Sequence, residues 1–135
     1  MIHFNWGLHD VRHVDAAGLG SPLASDPPAT PIDTYRRQLR RLVKRLKATG
    51  AKLIFATTTP VPDVPLDPYR SNVDVIRYND VALAIRRRYG VAVDDLYEFA
   101  LPQLAALQIP DDVHFRFAGS RALAAEVARA IQAEE

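Results

Sequence analysis

The sequence predicts an α/β protein, a three-layer α/β/α sandwich built around a parallel sheet. Three short apolar segments with the character of buried strands alternate with longer amphipathic segments of helical period. Strands that are joined through helices pair in parallel with right-handed crossovers, so the helices cover both faces of the sheet. The chain has 135 residues, 48% of them hydrophobic, which is enough for a single domain over residues 1–135.

The strands are short and are separated by long connections. They are predicted at residues 2–6, 52–57 and 91–93. The middle segment is almost continuously apolar, as expected for a strand that is covered on both faces. Two connections, residues 14–31 and 58–68, are rich in Pro or Gly and are predicted to be loops. In open parallel sheets, ligands bind beyond the carboxyl ends of the strands, so the loops after the three strands form the expected functional edge.

Helices are predicted where apolar residues recur at helical spacing. The long ones are expected at residues 33–49, 73–89 and 118–133. Gly50 and Gly90 supply stop signals for the first two. In the last helix, Leu123, Val127 and Ile131 lie four residues apart and form a docking face. A shorter helix is expected over residues 99–107, with its proline near the start.

Charge and composition exclude several functional classes. Seventeen basic and sixteen acidic side chains leave a net charge of +1, so we expect neither nucleic acid nor a membrane as a partner. The cations between residues 36 and 47 fit the solvated face of an amphipathic helix. With no cysteine and no spanning or signal segment, the chain as it stands predicts a cytoplasmic location and no cofactor, with an upstream secretion signal as the alternative.

The strongest chemical signal is an Asp-x-x-His sequence ahead of the last helix. Asp111 precedes His114 by three residues, in a loop that begins after Pro110. A carboxylate beside an imidazole orients the ring and stabilises its cation, as in the acid–base pair of a serine hydrolase. Asp112 is the alternative partner, because the two adjacent aspartates are not separable from the spacing of charges alone.

Four segments together resemble the SGNH (GDSL-type) hydrolase family. In order, they are Phe4–Asp10, Thr57–Pro60, Tyr78–Asn79 and Asp111–Phe115. The resemblance covers the later two thirds of that flavodoxin-like fold, so it implies a domain that is incomplete at its N-terminus. It also implies that Asp111 is the triad acid and that His114 is the base. The implied substrates are small-molecule or carbohydrate esters.

The same resemblance implies an oxyanion site after the first strand. The family has a Gly-x-Asn-Asp tetrad there, whose Asn donates to the oxyanion. Here the tetrad starts at Gly7, and His9 occupies the place of the Asn. An imidazole can also donate a hydrogen bond, although its donation depends on protonation state. Gly7 and His9 are therefore the expected oxyanion and substrate-binding residues.

The chain lacks the family's nucleophilic segment. In the family, a Gly-Asp-Ser turn follows the first strand, upstream of everything that matches here. Among the four serines of the chain, Ser21 is the least implausible substitute, because its loop lies at the functional edge. We therefore expect an esterase-type hydrolase that is inactive as this shortened chain. The alternative is a shortened, non-catalytic paralogue that serves as a binding or relic domain.

Three further expectations concern histidines and the edge of the sheet. His3 is expected to be structural and His13 to be solvated. His9 and His13 would share a face if their segment were helical, with Asp10 beside them, but no third ligand is indicated, so we expect no metal. Without a preceding strand, the first strand exposes an apolar edge that favours association of two copies of the chain.

Overall fold

The computed structural model describes all 135 residues, and its centre is a three-stranded parallel sheet. The strands are β1 (Ile2–Phe4), β2 (Leu53–Ala56) and β3 (Ala92–Asp94), in the spatial order β1-β2-β3. In register, His3 lies beside Ile54, which in turn lies beside Ala92. The predicted parallel sheet is confirmed, with β1 and β2 shorter than expected. β1 pairs with β2 on one side only, so it is an edge strand.

Five α-helices surround the sheet. They are α1 (Ile32–Lys47), α2 (Asn72–Tyr89), α3 (Leu96–Ala100), α4 (Leu104–Leu107) and α5 (Phe117–Gln132). The three long helices match their predicted positions to within two residues. The predicted helix at 99–107 is wrong in detail: a 3₁₀ turn at Leu101–Gln103 separates α3 from α4, where Pro102 has no N–H to donate. No helix is both long and apolar enough to span a bilayer.

The apolar core lies between the sheet and the α1/α2 layer. Phe4 and Phe55 meet edge to face with ring centroids 5.6 Å apart, and Tyr35 of α1 lies against Tyr78 of α2 at 5.0 Å. All four rings are buried in the same cluster. α5 packs near β3, on the other side of the sheet. This arrangement is the predicted three-layer sandwich.

His3 lies on the opposite face of the sheet from Phe4, because side chains alternate along a strand. Its Nε2 lies 2.9 Å from the Oδ2 atom of Asp94, whose side chain is fully buried. The pair therefore links β1 to β3 across β2. His3 has the structural role that the sequence predicts.

His13 corrects one prediction. We expected a solvated side chain, but His13 is only 7% exposed. Its ring meets Tyr69 edge to face at 4.7 Å, and Nδ1 lies 3.2 Å from the carbonyl of Leu23. The segment after β1 runs beside the segment before α2 here, so that His13 and Tyr69 are neighbours. His13 therefore contacts different residues from His9, and the segment between the two histidines is not helical.

Candidate active site

Three loops enclose a cleft of about 380 Å³. They follow β1, precede α2 and precede α5, and the cleft is lined by Leu8, His9, Leu66, Asp67, Pro68, Arg70, Asp111, Asp112, Val113 and His114. Three of the predicted site residues, His9, Asp111 and His114, therefore meet in one place. The volume suits a small ligand.

His114 carries the hydrogen bond that defines the site. Its Nδ1 lies 2.6 Å from Oδ1 of Asp112, and its backbone N–H donates to the same oxygen at 3.0 Å. The imidazole is 77% exposed, so the ring is open to a ligand. Because Nδ1 faces the carboxylate, Nε2 is the nitrogen that remains free for proton transfer. The backbone N–H of His114, and then its ring, hold the pKa of Asp112 below the ordinary value of 3.8.

The partner of the ring is Asp112 in this structure, whereas the family resemblance implies Asp111. The reason is local. Asp111 has a left-handed backbone with φ 58°, and the following Asp112 forms an Asx turn by accepting from the backbone two residues later. That turn places the Asp112 carboxylate beside the ring of His114, whose backbone N–H also donates to it. Asp111 lines the cleft without a side-chain hydrogen bond, and its catalytic role stays a prediction.

A closed turn holds His114 in place. The backbone N–H of Ile109 donates to the carbonyl of His114 at 2.9 Å, and Gln108 pairs with Phe115. The buried amide of Gln108 donates to the carbonyls of Pro60 and Val113 at 3.1 and 3.2 Å. Gln108 thus fastens the histidine turn to the loop that follows β2. Sequence reasoning missed this role, since nothing near Gln108 in the sequence indicates its partners.

Gly7 is placed for close packing. A Cβ atom at this position would lie 2.0 Å from Oγ1 of Thr58, so the turn leaves no room for a side chain. The carbonyl of Gly7 accepts from the N–H groups of Asp10 and Val11 at 2.9 and 3.0 Å, which closes a tight turn around His9. Gly7 itself does not line the cleft. Its role here is to bring His9 to the cleft wall.

Thr58 is in turn held by α2. The side chain of Asn79 accepts from the N–H of Thr58 and donates to its carbonyl, both at 2.9 Å. Tyr78 beside it donates to the carbonyl of Thr30 at 2.6 Å. Tyr78 and Asn79 thus fasten α2 to two loops, and Asn79 also fixes the loop against which Gly7 packs.

No serine of the chain lies at the cleft. Ser71 caps α2 by accepting from the N–H of Asp74 at 3.2 Å, while Ser25 and Ser120 are exposed. Ser21 is buried, and its Oγ accepts from the N–H of Leu23 at 3.1 Å. Its hydroxyl is therefore engaged in a loop turn and is not among the groups around His114.

Arg70 is a cleft residue that sequence reasoning missed. It lies in the wall beside His9 and is only 8% exposed. Its Nε donates to the carbonyl of Leu8 at 3.0 Å, which ties the start of α2 to the turn that carries His9. No local pattern identifies this arginine, because its burial depends on contacts 62 residues apart.

Most of the cleft residues lie in a segment that matches a known family model. Residues 10–122 match the GDSL-like lipase/acylhydrolase family. This chain belongs to that family. The matched segment of this GDSL-like protein includes Asp111, Asp112 and His114, whereas Gly7 and His9 lie ahead of it. No curated protein sequence gives a significant match.

Solved structures share the fold of this GDSL-like protein. The lipase/acylhydrolase from Enterococcus faecalis has a TM-score of 0.66 and 23% identity, over 78% of this chain and 53% of that chain. LAE5, an alpha/beta hydrolase enzyme from the metagenome of Lake Arreo, Spain, has a TM-score of 0.68 and 24% identity, over 95% of this chain and 57% of that chain. The GDSL-like chain thus spans a little more than half the length of these structures.

Proposed function

We propose that this chain supplies the acid–base half of an ester hydrolase. The observation that carries the proposal is the hydrogen-bonded pair of His114 and Asp112, which opens on a cleft of small-molecule size. His114 Nε2 would take the proton of an attacking hydroxyl and return it to the oxygen of the leaving alcohol. The carboxylate would keep the proton on Nδ1 and stabilise the imidazolium between the two transfers.

The nucleophile in this proposal is a serine from outside the 135 residues. Two observations support it: no serine of the chain lies at the cleft, and the similar solved structures are longer than the matched portion. That serine would attack the ester carbonyl, release the alcohol and leave an acyl-enzyme, which water would then hydrolyse.

His9 is proposed as an oxyanion donor. It stands at the cleft wall on the tight turn that begins at Gly7, and no protein group occupies its ring nitrogens. A donor aimed at the developing negative charge contributes about 3 kcal/mol in comparable sites. We propose carboxylic or carbohydrate esters of small molecules as the substrate class.

The test compares two forms of the protein. The 135-residue chain should hydrolyse p-nitrophenyl acetate no faster than exposed histidine does. A form extended upstream to include a Gly-Asp-Ser segment should turn over the same ester, with His114→Ala lowering kcat by about 10⁴-fold or more. Saturable activity of the unextended chain that His114→Ala abolishes would instead place the nucleophile inside it, with Ser21 as the first candidate.

Adjacent substitutions then assign the carboxylate. If Asp112 orients the ring during turnover, as it does in this structure, Asp112→Asn lowers kcat in the extended form while Asp111→Asn has little effect. The opposite result would support the assignment of Asp111 implied by the sequence resemblance. Each variant serves as the control for the other, because both remove one negative charge from the same loop.

A second candidate function is a non-catalytic binding domain. The absence of any serine from the cleft favours it as well. In that case, the extended form would also be inactive, and ligand binding to the cleft would be the only measurable property. The upstream coding sequence separates the two candidates, because only the enzyme requires a Gly-Asp-Ser turn there.

A further inference from the structure

Arg70 is a buried cation without a counterion. Its side chain is 8% exposed, and no carboxylate oxygen lies within 4.0 Å of its guanidinium. Nε and Nη1 donate to the carbonyls of Leu8 and Pro68, at 3.0 and 3.4 Å, and both acceptors are neutral. Nη2 has no acceptor in the protein. Burying a charge without an opposite charge is unfavourable, so such a group is a natural site for an anionic ligand.

A second arginine strengthens the local positive charge. The N–H of His13 donates to the carbonyl of Tyr69 at 3.0 Å, which sets Arg12 and Arg70 beside each other on adjacent segments. Arg12 forms no ion pair, and its Nε is buried without a hydrogen-bond partner. Burial, and then the charge of Arg12, lower the pKa of Arg70. Two neighbouring guanidinium groups therefore share a region that lacks a counterion.

The carboxylates of the cleft do not neutralise this pair. Asp112 is bonded to His114, and neither Asp67 nor Asp111 forms an ion pair with an arginine. Both of the latter are exposed residues of the cleft lining. The cleft lining thus holds the Arg70 guanidinium, the His114–Asp112 pair and two further carboxylates, none of which forms an ion pair with Arg70.

We propose that Arg70, supported by Arg12, forms a subsite for an anionic oxygen group of the substrate, so that the enzyme acts on esters that carry a carboxylate or a phosphate. The planar fork of arginine matches such a group with two parallel hydrogen bonds. The substrate role rests on the proposed ester hydrolysis, but anion binding itself does not. Carboxylate and phosphate share the recognition chemistry, and the experiment separates them.

Binding is measured on the 135-residue chain by NMR titration at constant ionic strength. The probes are monoethyl succinate and inorganic phosphate, with diethyl succinate as the uncharged control. We expect saturable shifts of His9, His114 and the Arg70 Nε–H signal with an anion and none with the diester. The anion that binds more tightly shows whether the subsite takes a carboxylate or a phosphate. Saturation by neither anion, or equal binding of the diester, would overturn the proposal.

Variants locate the subsite. Arg70→Gln should weaken anion binding by about tenfold or more, and Arg70→Lys should retain part of it because the charge stays while the fork is lost. Arg77→Gln is the matched control, since Arg77 is an exposed arginine of α2 near Asp74. Circular dichroism checks folding. If Arg70→Gln does not fold, the comparison of Arg70→Lys with wild type decides, and unchanged affinity there overturns the assignment.

The extended, active form gives the corresponding kinetic test. Arg70→Lys should raise KM for mono-p-nitrophenyl succinate by a larger factor than KM for p-nitrophenyl acetate, because only the succinate ester carries the anionic group. Equal losses on both esters would make Arg70 a structural or oxyanion group and would reject the subsite. If the extended form is inactive while the short chain still binds the anion through Arg70, the proposed hydrolysis fails and the anion site stands.

Discussion

His114 is held by a residue only two positions before it in the chain. Asp112 accepts from both the backbone N–H and the ring of His114, so one carboxylate oxygen sets the turn and the imidazole together. The arrangement is local and largely exposed. It depends on the shape of the nine-residue loop between α4 and α5, residues 108–116, more than on the sheet behind it.

The pKa of Asp112 should lie below 3.8 when it is followed by carboxyl ¹³C NMR. Because the backbone N–H of His114 is the largest cause and the ring the second, His114→Ala should restore only part of the lowering. Because the pKa is lowered in the folded state, the hydrogen bonds to Asp112 stabilise the fold at pH values above the ordinary pKa. This stabilisation is lost as the pH falls through the lowered pKa. A complete return to 3.8 in the variant would contradict this account.

Asp111 should tolerate glycine better than alanine. Its φ of 58° lies in the left-handed region, where a Cβ atom is unfavourable and glycine is not. Asp111→Ala should therefore have a free energy of unfolding about 1 kcal/mol below that of Asp111→Gly. Both variants lack the carboxylate, so their difference in urea denaturation reports the backbone alone. Equal stabilities would show that the loop relaxes to another conformation.

At the scale of the elements, the site depends on one close approach between the turn after β1 and the loop after β2. Gly7 lies against Thr58, and Asn79 of α2 holds Thr58 through both of its backbone groups. The position of His9 is therefore set from α2, through two intermediate residues. A side chain at Gly7 must displace one of these partners.

Gly7→Ala should lower the free energy of unfolding by about 2 kcal/mol, because the new methyl group overlaps Oγ1 of Thr58. Removing that hydroxyl with Thr58→Ala should reduce the penalty by about 1 kcal/mol in a double-mutant cycle. Gly18→Ala is the control. An alanine there is destabilised only by the φ of 80°, because no atom lies within 4 Å of the new Cβ. Its loss of stability should therefore be the same with and without Thr58→Ala. Additive effects of the two substitutions on the free energy of unfolding would show that the overlap with Thr58 does not cause the loss of stability.

The predictable elements are those whose signals are local and periodic. α1 and α2 have apolar stripes followed by glycines, and Gly90 does adopt the left-handed cap conformation that ends α2. The site is different. Asp111, His9 and His114 could be selected from the sequence, but the burial of Arg70 and His13 depends on contacts between distant loops. The choice between two adjacent aspartates depends on one backbone angle, which composition and spacing do not specify.

At the scale of the whole molecule, the sheet has a free edge at β1. The strand is paired on one side only, and Met1 and Trp6 at its two ends are exposed apolar residues. An unpaired apolar edge is a template for another strand. Association of two copies of the chain through this edge stays a prediction.

The chain should accordingly associate as its concentration rises in sedimentation velocity experiments. Trp6→Lys should weaken this association, because a charge at the end of an edge strand opposes pairing. Lys52→Met is a useful contrast, since it removes a cation near the sheet without touching the free edge. A concentration-independent monomer would contradict the prediction, and equal behaviour of Trp6→Lys and wild type would place the contact elsewhere.

Trp6 also has an optical consequence. It is the only tryptophan of the chain, it lies 5.3 Å from the Phe4 ring, and it immediately precedes Gly7. Its carbonyl accepts from the Tyr35 hydroxyl at 2.8 Å, which anchors the backbone, while the indole is 40% exposed. Selectively excited fluorescence therefore comes from one residue at the entrance to the His9 turn. Its emission maximum and its quenching by a dissolved quencher therefore report the conformation of that turn without any added label.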